Sequence, residues 1–575
     1  TTTVPDKEQL GELTVYKEGQ VLAGADVSEN GTVFQYENRR QKGAVYNVYA
    51  GEDIISAYGA KIYSKGDLVK ENLSTDENGA CILKNLHLGT YVVKEMQAPE
   101  NFYNAGEEKT VTLSYAGQNV EVVFSDVIFT NDRQKADVSV VKKDKDTENP
   151  LSGGVFALYA GSDIANADGN VVVKKGTLIE KLTTGADGKA AFNADLPIGF
   201  SYVVKEEQAP QGYLRNSKDV YTFKFSYTSD SEPKVSFTHT FVNERVKAKI
   251  SLEKRDAETK QAVAQGDATL EKAVYGLYAR NDIVHPDGIT GVIYKAGEQV
   301  ATLTTDKNGQ ASVDGLYLGD YYVKEISPSV GYLADETEHD LVCNYEGDLV
   351  AEVKRDCTSL EQVMKQPFQI IKAANNGKTD ADLLKGAGFT AYLESSLTKK
   401  ADGNYEFASA TPVVIGENGA TEMFTDEKGY ACSIALPYGT YIVRETTTPH
   451  NYTPVDDFTV RITENNPNQP QTWRVLLDDE FEAKLKIIKQ DDETKKPVLQ
   501  KNTEFKIYDL DHKKYVEQVT TYPTTVKHKS YFTDEQGYLI LPQNLKIGNY
   551  RIEEVNAPFG YTLNKNYYEV TVDSN

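Results

Sequence analysis

The sequence predicts an all-β protein: a tandem array of five Ig-like β-sandwich domains forming an elongated rod. Three observations carry this. A segment of the form "YVVKEEQAPQGY" (Tyr202–Tyr213) occurs five times at domain-length intervals. Short runs of alternating apolar and polar residues, separated by Asp- and Gly-containing turns, fill each interval. No apolar pattern of helical period interrupts them. The chain has 575 residues, too many for a single core, and length alone predicts about three to six domains. The repeat divides it into 1–133, 134–245, 246–363, 364–480 and 481–575.

Each unit opens on a strand ending in lysine: "LTVYK", "VSVVK", "ISLEK", "FQIIK" and "LKIIK". Apolar residues stand four and two places before Lys17, Lys142, Lys254, Lys372 and Lys489. Side chains alternate across a strand, so each lysine shares the inward face with them. A core strand such as "GGVFALYA" or "AVYGLYA" follows. Next come the turns "TDENG", "GADGK", "TDKNG", "TDEKG" and "TDEQG", where Asp with Gly a few residues on is turn chemistry. Their ligand spacing is incomplete for a calcium loop. A second turn of the "LHLGTY" type leads into the strand of the repeated segment. On its inward face stand Glu95, Glu206, Glu325, Glu445 and Glu554.

The last strand is less uniform. Asn131, Asn243 and Asp478 stand eleven residues before the next unit's lysine and end the first, second and fourth units. In the third unit that spacing falls on Glu361, a poor fit, and "LVAEVKRD" is expected as the last strand instead, with Asp356 at the end. The fifth unit stops after "YYEVTVDSN" with one strand still to come, which is expected outside this chain or from another segment.

A lysine and a glutamate facing one core cost several kcal/mol unless paired. A buried ion pair, or snorkelling at the sandwich edge, accounts for one such copy. Five copies in the same register, with an Asn or Asp beside them, point to chemistry. Burial drives lysine toward the free amine, a nucleophile, and the carboxyl toward the acid. A protonated glutamate can donate to the side-chain carbonyl of Asn or Asp and shuttle protons, while fixed contact supplies effective molarity. The product is an intramolecular isopeptide bond, released with ammonia from Asn or water from Asp.

The lysine strand, the "YVVKE..AP.GY" segment and the terminal-strand Asn together resemble the B-type repeat domain of collagen adhesins, the CnaB or SpaA-like prealbumin-like domain. That domain is found in surface adhesins and pilins of Gram-positive bacteria. The resemblance covers nearly the whole chain. It implies crosslinks Lys17–Asn131 with Glu95, Lys142–Asn243 with Glu206, and Lys372–Asp478 with Glu445. Lys254 with Glu325 is left without a clear acceptor, Asp356 being the nearest choice, and Lys489 with Glu554 lacks its last strand. No "VYPK" or "LPxTG" sequence is present. An extracellular location, with cell-wall anchoring in the full-length protein, is implied.

Composition narrows the function. The net charge is -24, which disfavours nucleic acid and anionic membranes as partners. No apolar run of about 18 residues is present to cross a membrane. Charged residues at 26% with aromatics at 10% describe folded rather than disordered chain. Four cysteines do not make a disulfide framework: Cys81 and Cys432 read as free thiols, and a Cys343–Cys357 bridge stays open. The histidines show no metal-ligand spacing, and no Gly-rich phosphate loop precedes a helix; neither cofactor nor metal is expected. The leading reading is a monomeric stalk of a surface adhesin or pilin-like protein. The alternative is direct binding of a host extracellular protein, with the first unit favoured for its insert "ADVSENGTVFQYENRRQKG". A turnover enzyme comes last, because self-crosslinking happens once.

Overall fold

Strand Lys135–Asp144 shows how the pattern becomes structure. Val138, Val140, Lys142 and Asp144 are buried and the residues between them are not, as a period of two requires. The computed structural model describes residues 1–575, and its regular structure is all strand apart from two single-turn 3-10 segments, Glu394–Ser396 and Glu417–Gly419.

In the second unit two sheets face each other. One orders Lys189–Ala191, Lys135–Asp144 and Lys234–Asn243; the other orders Leu178–Thr183, Val155–Ala160, Ser201–Gln208 and Val220–Lys224. First and last strands run parallel, with Lys142 opposite Phe241 and Asp144 opposite Asn243. Parallel neighbours need a long crossover, and here nearly the whole domain supplies it. Glu206 lies opposite Phe156 in the facing sheet. Lysine and acceptor therefore come from one sheet and the glutamate from the other. Val138, Val140, Phe156, Leu158, Tyr202 and Val204 fill the space between.

The first, third and fourth units repeat this plan, with parallel first and last strands Leu10–Ser28 and Val122–Asn131, Lys247–Asp256 and Glu352–Glu361, and Gln369–Asn375 and Arg474–Asp479. The third unit corrects one expectation. Its last strand extends to Glu361, and Asp256 pairs with Glu361 as Asp144 pairs with Asn243. Asp356 sits opposite Ser251 and is exposed. In the fifth unit Lys486–Ile488 pairs only with Tyr538–Ile540, and its other edge is open within this chain. All four cysteines are free.

Consecutive units touch through built junctions. The insert of the first unit forms most of a β-hairpin: Gly31–Arg40 pairs antiparallel with the far half of Leu10–Ser28. This arm lies on the second unit, and its Leu22 and Phe34 join that unit's core. Asp230 and Asp348, from the loops before the last strands of units two and three, accept hydrogen bonds from Ala98 N at 3.1 Å and Ala209 N at 2.9 Å of the preceding unit. Each caps the loop that follows a glutamate strand.

Candidate functional site

In the first unit Lys17 is 0%, Glu95 3% and Asn131 5% exposed. Lys17 Nζ lies 2.9 Å from Glu95 Oε1. Asn131 Nδ2 donates to Glu95 Oε2 at 3.0 Å and to the Tyr103 carbonyl at 2.6 Å. The second unit repeats this: Lys142 Nζ is 3.6 Å from Glu206 Oε1, and Asn243 Nδ2 donates to Glu206 Oε2 at 2.9 Å and to the Leu214 carbonyl at 2.6 Å. The glutamate bridges amine and amide. It faces the amide nitrogen rather than the carbonyl expected from the sequence, because the backbone carbonyl beside the amide is acceptor-only and turns the NH2 toward itself. Asn131 Oδ1 and Asn243 Oδ1 are buried without a hydrogen-bond partner, an expensive state for polar atoms.

In the fourth unit Lys372 Nζ lies 2.8 Å from Glu445 Oε2 and contacts Asp478 Oδ1. In the third, Lys254 Nζ is 3.6 Å from Glu325 Oε1 and contacts Glu361 Oε2. Glu361, not Asp356, occupies the acceptor position there. In the fifth, Lys489 Nζ meets Glu554 Oε1 at 2.8 Å. With no strand beside it, the Lys489 side chain is 13% exposed and lines a cleft of about 740 Å³.

Burial dominates the electrostatics. It lowers the Lys17 amine below its ordinary range and brings the Lys142 and Lys254 amines down to about 8. Burial also raises the Asp478 and Glu325 carboxyls, against the pull of the neighbouring lysines. Desolvation disfavours the charged form of each of these groups, and in the third unit it leaves a nucleophilic amine, Lys254, beside a protonatable acid, Glu325.

Two supports were not read from the sequence. Glu206, Glu325, Glu445 and Glu554 each accept the backbone N–H ten residues on, from Asn216, Asp335, Val455 and Asn564. The fixed reach of the "AP.GY" loop sets this contact. The loop's final tyrosine also grips the lysine strand: Tyr213, Tyr332 and Tyr561 donate to Asp144, Asp256 and Asp491 at 2.7, 2.9 and 2.9 Å. These aspartates stand two residues after the lysines, so a Lys-x-Asp pattern was the available signal. In the first unit Gly19 takes the Asp position and the Phe102 ring fills the room; a Cβ on Gly19 would lie 2.3 Å from that ring.

The fold and these sites define an array of β-sandwich repeat domains, each with a Lys–Glu pair between its sheets, buried in the first four units. A family model described as "SpaA: Prealbumin-like fold domain" matches residues 34–127, 136–240, 248–356, 367–474 and 483–575. The chain belongs to that family. It is 30% identical over 201 residues to a collagen adhesin of Staphylococcus aureus, a match covering 34% of this chain and 15% of the adhesin. Among solved structures, the Bacillus anthracis TIE protein is 19% identical, with 83% of this chain and 76% of that one covered and a TM-score of 0.41. BcpA, the major pilin subunit of Bacillus cereus, is 15% identical, with 61% and 99% covered and a TM-score of 0.23.

Proposed function

We propose that this chain is the monomeric stalk of an extracellular, cell-wall-anchored bacterial surface protein, and that the first, second and fourth units each close an isopeptide bond between first and last strands. The observation that supports this most is the recurrence of one arrangement: a buried lysine and an Asn or Asp two register positions on in the parallel last strand, joined by a glutamate from the facing sheet. The Lys17 or Lys142 amine attacks Cγ of Asn131 or Asn243, and the new N–C bond replaces the bond to Nδ2. The glutamate takes the amine proton at one oxygen and delivers it at the other to Nδ2, which leaves as ammonia. With Asp478 the leaving group is water, the departing oxygen taking both protons that the Lys372 ammonium gives up. The buried charges disappear in the product. Apart from this single self-directed event, no turnover is proposed. Intact mass tests the reading: two ammonia and one water should be missing from units one, two and four, and an unshifted mass would overturn it.

The likeness to a collagen adhesin supports a second reading, direct binding of a host extracellular protein by one unit. The insert of the first unit is a weak candidate for it, because its Phe34, with the preceding Leu22, is spent on the second unit. Pull-down of matrix proteins by the full chain separates stalk from adhesin.

A further inference from the structure

The third unit departs from the others at two positions that touch. Its acceptor position holds Glu361 instead of Asn or Asp, one methylene longer. The residue opposite its lysine is Ser359, where the first, second and fourth units have Phe129, Phe241 and Leu476. The side chain lost at 359 makes room for the one lengthened at 361. The serine also brings a donor: Ser359 Oγ lies 3.2 Å from Glu361 Oε1, and 3.1 Å from Asp335 Oδ2. A second donor arrives from the facing sheet. Tyr275, opposite Glu325, donates its hydroxyl to Glu361 Oε1; Phe156, Phe389 and Phe505 hold that place in the second, fourth and fifth units. Glu361 is 2% and Lys254 0% exposed, and Lys254 Nζ contacts the other oxygen, Oε2.

One oxygen of the Glu361 carboxyl is thus held by the Tyr275 hydroxyl, and the Ser359 hydroxyl, whose single hydrogen is shared with Asp335, lies 3.2 Å from it. The amine stands at the other oxygen, and Glu325 lies within reach of the amine. Resting on the isopeptide reading of the other units, we infer that the third unit crosslinks through glutamate, joining Lys254 Nζ to Glu361 Cδ. The amine attacks Cδ, and negative charge develops on Oε1, where Tyr275 and Ser359 stabilise it as oxyanion donors do. Of the two protons the ammonium gives up, the first passes to Oε2 and frees the amine. The second is accepted by Glu325 from the attacking nitrogen and returned to Oε2, which then leaves as water. One N–C bond forms and one C–O bond breaks. A cation and two acids in a dry site become one amide and one acid, which removes the cost of burying the ion pair.

Peptide mapping of the full chain by mass spectrometry decides it. A linked pair of peptides carrying Lys254 and Glu361, lighter than their sum by one water, is the expected result. The Glu361→Gln chain should form the same bond with loss of ammonia, so that its mature mass equals that of the wild type although the unreacted sequences differ. Tyr275→Phe should leave a larger unlinked fraction of this pair and none of Lys142–Asn243. Free Lys254 and Glu361 peptides beside an intact Lys142–Asn243 link would overturn the glutamate crosslink and leave the general reading standing. Absence of both links would overturn both.

Discussion

At Lys142 an ammonium-forming group sits fully buried, 0% exposed. Burial holds its amine at about 8, below the ordinary 10.5. Before condensation the folded state therefore binds fewer protons than the unfolded state between those values, and stability should rise with pH across that window. An amide does not titrate, so the finished domain should lack this rise. Asn243→Ala, which cannot condense, should gain stability toward wild type between pH 8 and 10 in urea unfolding, and the added change Lys142→Met should abolish the gain; parallel curves for Asn243→Ala and wild type would sink the assignment. Glu206→Gln keeps the side-chain shape but cannot carry the proton. The chain should retain one ammonia, and the second unit should lose a crosslink worth about 4–5 kcal/mol for a loop of ~100 residues. At roughly 4–8 °C per kcal/mol in a domain of this size, its melting temperature should fall by about 20 °C or more in calorimetry. The lysines and glutamates were legible because a charge on an inward phase is conspicuous when it recurs, and Asn131 and Asn243 followed from their distance to the next lysine. The same distance fell on Glu361, but the longer acid was set aside for Asp356, because its partnership with Ser359 appears only once the parallel register is known. The clamp of Tyr213 on Asp144 was hidden for the same reason: its partners lie far apart in sequence, on a strand and a loop.

The strands themselves were legible, since period two and turn residues are local signals; the arm was not, because its partner is another unit. Leu10–Ser28 continues past Lys17 and pairs with Gly31–Arg40, and this hairpin packs against the second sandwich. Thr32 Oγ1 donates to the Leu178 carbonyl at 2.7 Å, and Tyr36 donates to the Asp195 carbonyl at 2.8 Å with the Arg133 guanidinium 3.4 Å over its ring. At the tip, Gly31 has a φ of +144°, and a Cβ there would stand 2.5 Å from the Ile179 carbonyl. The exposed Arg39–Asp168 pair at 2.8 Å adds little beside these contacts. Phe34→Ala, a change in the first unit, should therefore destabilise the second by roughly 3 kcal/mol, the low end for a buried Phe. Hydrogen exchange on the full chain should show faster amide exchange in Leu178–Thr183, with Glu95 and its neighbours in Gly89–Gln97 unaffected. Unchanged exchange in both strands would mean the arm only rests on its neighbour.

Across the whole molecule the accessible surface is 31274 Å². A single compact protein of 63.7 kDa would expose roughly 20,000 Å², and five separate domains of a fifth that mass roughly 31,000 Å². The units thus keep nearly all of their own surface, as a serial array does, and hydrogen bonds between units join consecutive ones, such as Ala98 to Asp230, Ala209 to Asp348 and Asn451 to Ser574. In such an array tension must pass through every domain. It enters a unit along the first strand and leaves along the last, and these are parallel neighbours. A bond from Lys142 to Asn243 carries the load directly between them, and the residues enclosed by the bond never feel it. Stretched from its two ends in a single-molecule experiment, the wild-type chain should give no unfolding step from the first, second or fourth unit. The fifth should extend, because Lys489 has Glu554 but no acceptor strand within this chain. Glu206→Gln should add one step of roughly 350 Å, the extended length of the segment between Lys142 and Asn243 at about 3.3–3.6 Å per residue. Five full-length steps from the wild-type chain would rule out a covalent route for the force and leave the buried lysines as ion pairs only.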